Sequence, residues 1–211
     1  MPNPVTIHDF GGFPEELFAQ QYPAPGAPDL AKQISEMIKQ PENGLGTSQH
    51  LELDYDQWGF DHGTWSVLKP MFPLADIPVV QMSMDYNAEM KSHFELGLQL
   101  SQLRQMGVLI IGSGNTVHNL RSMVRGAPHT QAFDWNMRFD DWVGRCIDSG
   151  NLRELTEFLK RGEDAVLAHP SYEHFLPILY TAGASLKEDR VEYFNKTYQA
   201  KSIAMRSVIW Y

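Results

Sequence analysis

Three histidines of this chain stand in short runs that contain glycine or proline, where a strand or loop ends and a side chain can face a pocket. His62 lies in Gly59-Phe60-Asp61-His62-Gly63, and His118 lies in the run Gly112-Ser113-Gly114-Asn115-Thr116-Val117-His118-Asn119-Leu120. His174 lies in Pro170-Ser171-Tyr172-Glu173-His174-Phe175-Leu176-Pro177. A fourth, His8, belongs to Ile7-His8-Asp9-Phe10-Gly11-Gly12-Phe13-Pro14. Imidazole ligates metals and exchanges protons near neutral pH. Several imidazoles at element ends therefore point to a metal-assisted or acid–base site.

Each position also has a plainer structural explanation. His118 follows the apolar run that ends at Ile111, and ligands of α/β sheets bind beyond the carboxyl ends of strands. A loop histidine bonded only to structure fits the same spacing. Gly112 and Gly114 let the backbone bend or approach a ligand, but no Lys-Ser/Thr follows to make a phosphate loop. Asp61 either orients an imidazole or caps the helix after it, and capping is the commoner task. Helix neighbours point about 100° apart, so at most one of Glu173 and His174 faces a given metal. His50, His93, His129 and His169 have no supporting context and read as core or surface histidines. Trp58, Phe60 and Trp65 read as core, and Met82 and Met84 as packing.

The elements that must position these groups follow from periodicity. Pro14 opens a short helix through Phe18, and a Pro-rich break follows. Asp29 opens a second helix with Leu30, Ile34, Met37 and Ile38 on one face. A polar loop precedes an alternating, strand-like stretch at 49–55. A helix through Trp65, Leu68 and Met71 follows Gly63. Residues 77–84 and 108–111 read as buried parallel strands. Between them, 87–106 is the longest helical pattern, with a buried stripe of Met90, Phe94, Leu98 and the 100–103 turn. Helices are expected at 134–149, 152–160 and 172–182, and two closing strands at 190–198 and 202–211. This order predicts one α/β domain over 1–211, with a central mixed, largely parallel sheet flanked by helices.

Of 211 residues, 17 are basic and 26 acidic, for a net charge of −9. That balance argues against nucleic acid or an anionic membrane as the main partner. The lone cysteine, Cys146, cannot form an internal disulfide and reads as a buried structural thiol of a cytoplasmic protein. No basic-then-apolar leader is visible, and the apolar runs are too short to span a bilayer.

Taken together, these stretches resemble the class III extradiol ring-cleavage dioxygenase family, in the branch that includes the 4,5-DOPA dioxygenases. The resemblance is carried by residues 6–14, Tyr22-Pro23-Ala24-Pro25-Gly26, residues 58–63, the loop 112–120 and residues 173–177, in the family's order. It implies a catechol substrate, O2 and a non-haem metal, Fe(II) or Zn(II). His174 matches a metal ligand, and His118 an acid–base residue that is also a ligand in zinc-loaded members. His62 matches a pocket histidine near substrate and oxygen, and His118 and His62 are the catalytic candidates. Family members carry an earlier segment with two further ligand histidines, in Gly-His-Gly-Ser-Pro-like and Ala-His-Trp-like motifs, and neither motif occurs here. The expectation is therefore an N-terminally incomplete member whose unpaired strands invite self-association. Two other readings stand beside the dioxygenase. One is a non-catalytic remnant or partner-binding domain without a competent metal site, and the other a zinc-dependent hydrolase.

Overall fold

In the computed structural model the described residues are 1–38 and 51–211. The chain divides into two compact units, Met1–Ser83 and Met84–Tyr211, each described by itself. The expected polar loop, His50 and the start of the 49–55 stretch lie outside the described residues. Residues 51–55 are not in a strand.

The N-terminal unit holds α1 (Glu15–Phe18), α2 (Pro28–Met37) and α3 (His62–Met71). Pro28 sits in the first turn of α2, where its missing N–H costs little. Asp61 caps α3: its Oδ1 accepts from the Thr64 N–H at 3.1 Å. The core joins Tyr22, Ala24, Phe60, Trp65 and Leu68, while Trp58 is exposed. Backbone pairing here consists of two isolated parallel bridges, Thr6 with Phe60 and Gly26 with Val79. The expected strand at 77–84 is thus reduced to a single bridge. Pro23, Pro25 and Pro28 flank one side of it and Pro78 the other. None has an N–H to donate, so a ladder has nothing to extend with.

The C-terminal unit is built on α4 (Met90–Leu100), α5 (Asp134–Asp148), α6 (Glu163–Ala168) and α7 (Leu176–Ala184). Helix α4 continues as a 3-10 stretch to Met106, and Leu152–Arg161 is also 3-10. Helices α4 and α7 cross at Gly97 and Gly183. A Cβ at Gly97 would lie 2.3 Å from the Tyr180 carbonyl oxygen, and one at Gly183 would lie 2.2 Å from that of Phe94. Only glycine allows so close a crossing. His93 and Tyr180 then bond across it, Nδ1 to OH, at 2.7 Å. The buried face of α4 is accordingly His93, Phe94, Leu96, Gly97 and Leu100. Leu98, expected in the stripe, is 44% exposed.

Five strands complete this unit: β1 (Val117–His118), β2 (Val191–Asn195), β3 (Tyr198–Gln199), β4 (Ile203–Ala204) and β5 (Ser207–Trp210). They form two small sheets, ordered β1-β4-β3 and β2-β5, and every pairing is antiparallel. The expected closing strands are present and pair with each other. The expected central, largely parallel sheet is corrected: among the described residues, parallel pairing is limited to isolated bridges. Residues 108–111 join no ladder, and Leu109 and Ile111 are 61% and 40% exposed. Apolar, β-branched residues favour extended backbone, but a strand exists only where a second backbone is there to bond. The chain is therefore mixed α/β, with its core between helices. Phe139, Val143, Leu155, Phe158, Phe175 and Leu179 fill that core, with Val117 pinned among them. No helix among the described residues is long and apolar enough to cross a membrane.

Candidate active site

His118 closes β1, opposite Ile203 of β4, directly after the fully buried Val117. His174 stands in the turn that leads into α7, closed by the Phe175 N–H on the Tyr172 carbonyl at 2.9 Å. The fold brings these two histidines face to face: ring centroids are 3.5 Å apart and the planes differ by 17°. The Asn115 N–H donates to the His174 carbonyl at 2.8 Å, which locks the two loops together. Gly114 makes this possible, since a Cβ there would lie 2.3 Å from that same carbonyl oxygen. The glycine loop thus serves a close approach to the entry of α7.

Burial, and then the neighbouring His174, pull the His118 imidazole down to about 4, against the opposing pull of Glu173. Glu173 itself sits below the ordinary carboxylate range. Burial pushes it up, but the Ser171 hydroxyl bond (2.7 Å) and the nearby imidazoles outweigh that. At neutral pH the His118 imidazole is therefore uncharged.

By themselves these two histidines do not complete a metal centre. An imidazole nitrogen offers its lone pair in the ring plane, so an ion between two nearly parallel rings 3.5 Å apart lies out of both planes and meets neither lone pair well. Catalytic metal sites take about three protein ligands. Among the described residues, no group of three or more His, Cys, Asp or Glu side chains is disposed to hold an ion.

His169, which had no supporting context in the sequence, lies at the base of this site. It is 1% exposed, and its Nε2–H donates to the Thr116 carbonyl at 2.7 Å. Its ring packs among Phe139, Phe158 and Phe175, where Nδ1 has no partner. The local sequence carries no signal for this role, because Thr116 is distant along the chain.

His62 belongs to the N-terminal unit, at the first position of α3. Asp9 Oδ1 accepts from both the His62 ring Nδ1 (2.9 Å) and its backbone N–H (3.0 Å). Asp9, rather than Asp61, orients this imidazole. Burial raises the Asp9 pKa, but the two His62 hydrogen bonds hold it below its ordinary value. With Nδ1 bound to Asp9, Nε2 is the nitrogen left to exchange protons. The Phe10 ring meets that of His62 edge-on at 5.6 Å. His8 is engaged elsewhere, its Nε2 on the Gln20 carbonyl at 2.9 Å. Cys146 is buried, and burial, then Glu154, push its thiol up to about 11, which leaves it inert as a nucleophile.

Comparison with known proteins places this geometry in context. The family model described as the catalytic LigB subunit of aromatic ring-opening dioxygenase matches residues 2–208. The 4,5-DOPA dioxygenase extradiol of Escherichia coli K12 is 38% identical over 211 residues, covering 99% of this chain and 74% of its own length. That of Mirabilis jalapa is 35% identical over 200 residues, covering 94% of this chain and 71% of its own. A crystal structure of an uncharacterized protein from Escherichia coli K12 superposes with a TM-score of 0.76 at 33% identity. It covers 98% of this chain and 79% of that one.

Proposed function

Because the chain belongs to the family of the catalytic LigB subunit of aromatic ring-opening dioxygenase, we propose that it opens the ring of a catechol such as DOPA with O2, in the extradiol manner. The observation that carries this reading is the pair of histidines the fold brings together, the half-buried His118 at the end of β1 and His174 at the entry of α7, with ring centroids 3.5 Å apart. An imidazole in this place would take the proton that a catechol hydroxyl must lose and return one to the opened product. His62, oriented by Asp9, is a second group able to hold or move a proton at Nε2. The lone, buried thiol suits a protein of the reducing cytoplasm.

Fe(II) or Zn(II) is the proposed metal and would bring Lewis acidity to the site; His174 would donate to it, and His118 would be a second donor only in exchange for its role as base, because a neutral imidazole has one free lone pair. Two donors in the stacked arrangement make the chain a weak metal binder. That shortfall favours a second reading, a domain that keeps the fold and lacks a competent metal site. Oxygen uptake with DOPA, measured with and without added Fe(II), separates the two. Fe(II)-dependent uptake with a ring-opened product supports the dioxygenase. No uptake alongside a cooperative thermal melt refutes it in favour of the second reading. Calorimetric titration with Zn(II) is expected to show weak binding, and a tight one-to-one site lost in His174→Ala would refute the weak-binder statement.

A further inference from the structure

Thr116, two residues ahead of His118, is held from two sides. Its carbonyl accepts from His169 at 2.7 Å, and its hydroxyl donates to Asp140 Oδ1 at 2.7 Å. Asp140, on α5, is in turn gripped by Arg206. The guanidinium donates from Nε to Oδ1 at 2.9 Å and from Nη2 to Oδ2 at 2.8 Å. Both charges are withdrawn from water, with side chains 9% and 4% exposed for Arg206 and Asp140. Arg206 follows β4, the strand that pairs with β1. Its guanidinium lies over the Tyr193 ring at 5.2 Å.

An ion pair this buried is a poor source of stability, because the desolvation of two charges rivals their attraction and an apolar pair does as well. A bidentate guanidinium–carboxylate fork does supply direction, since both partners are planar and the two bonds fix their relative orientation. Here that fixed carboxylate has one further hydrogen bond, and it goes to Thr116. On the other side of His118, the Asn119 N–H donates to the Ser202 carbonyl at 3.2 Å, and its side-chain amide donates to the Leu167 carbonyl at 2.8 Å. The backbone on both sides of His118 is thus bolted to β4, α5 and the end of α6.

We propose that Asp140 and Arg206 are positioning residues that act through Thr116 to hold the His118 ring in its stack on His174. The relevance to catalysis rests on His118 moving the catechol proton, as proposed above, while the positioning itself does not. Proton transfer requires the base within hydrogen-bond reach of the substrate, so a loosened His118 lowers kcat more than it raises KM.

The test uses the full chain, with histidine rings isotopically labelled. Thr116→Val removes the hydroxyl and leaves the ion pair intact, so the carboxylate keeps both guanidinium bonds. Cross-relaxation between the ring protons of His118 and His174 is expected to fall by half or more, with near-UV circular dichroism unchanged. In protein supplied with Fe(II), kcat for DOPA is expected to fall by about tenfold with KM little changed. Thr116→Ser should restore both. Arg206→Lys, which keeps the charge and loses the fork, should weaken the same ring contact if Thr116→Val does not fold. A folded Thr116→Val or Arg206→Lys protein that keeps the wild-type ring contact overturns the proposal. Wild-type protein without ring cleavage would instead overturn the dioxygenase reading, and the ring contact would still decide the positioning.

Discussion

Lowering the pH should destabilise this chain through His169 before its carboxylates titrate. Burial holds the His169 imidazole down, from the ordinary 6.5 to about 4, against the Thr116 hydrogen bond that favours the charged form. The geometry gives the cause. Nε2 already spends its proton on Thr116, so a second proton on Nδ1 would enter a box of three phenyl rings that offers no acceptor. The sign follows directly. Below about 6.5 the unfolded chain binds a proton that the folded chain refuses until about 4. Stability therefore falls as pH drops across that window, with a slope of about 1.4 kcal/mol per pH unit for each such proton. A drop of about two and a half pH units amounts to about 3 kcal/mol, a large part of net stabilities of about 5–15 kcal/mol. His118, also held at about 4, adds in the same direction. Urea unfolding at pH 7, 6, 5 and 4.5 measures the slope. His169→Gln retains an N–H for the Thr116 carbonyl and cannot titrate. Whatever its absolute stability, its slope near pH 5 should be shallower by about one proton, or about 1.4 kcal/mol per pH unit. Equal slopes in the two proteins would refute the reasoning.

Replacing either His118 or His62 with Ala should cut catechol turnover by about 10²–10⁴-fold, the usual loss when a general acid–base group is removed. Turnover unchanged in both variants would return the two residues to structural roles. Gly97→Ala gains up to about 1 kcal/mol of helix propensity but drives a methyl into the Tyr180 carbonyl. Overpacking of about 1–3 kcal/mol should win, and a urea midpoint at or above wild type would show that α4 and α7 can part. The exposed Leu109 and Ile111 lie outside any ladder among the described residues, which favours self-association. Leu109→Lys should lower the weight-average mass in sedimentation equilibrium, and an unaltered mass would place the contact elsewhere.

Much of the helical framework was legible in the sequence, because caps, prolines and apolar periodicity act within a few residues. The helices around Ile34, Trp65, Phe94 and Val143, the cap by Asp61 and the inert Cys146 all follow from such local signals. So did the family, since His62, His118 and His174 keep their local contexts wherever the chain takes them. What local signals cannot supply is a partner distant in the chain. Residues 77–84 and 108–111 have strand composition, yet a strand is a pair of backbones, and prolines or the lack of a neighbour left these without ladders. Leu98 fell outside the core because the Gly97–Gly183 crossing sets which face of α4 is covered. His169 looked idle because its function lies in a carbonyl some fifty residues earlier in the chain. Asp9 rather than Asp61 took the His62 ring for the same reason. The sequence by itself determined the chemistry available, imidazoles at element ends and the helices that carry them. Only the tertiary structure decided which imidazole meets which partner, because hydrogen bonds and burial act through space and are blind to order along the chain.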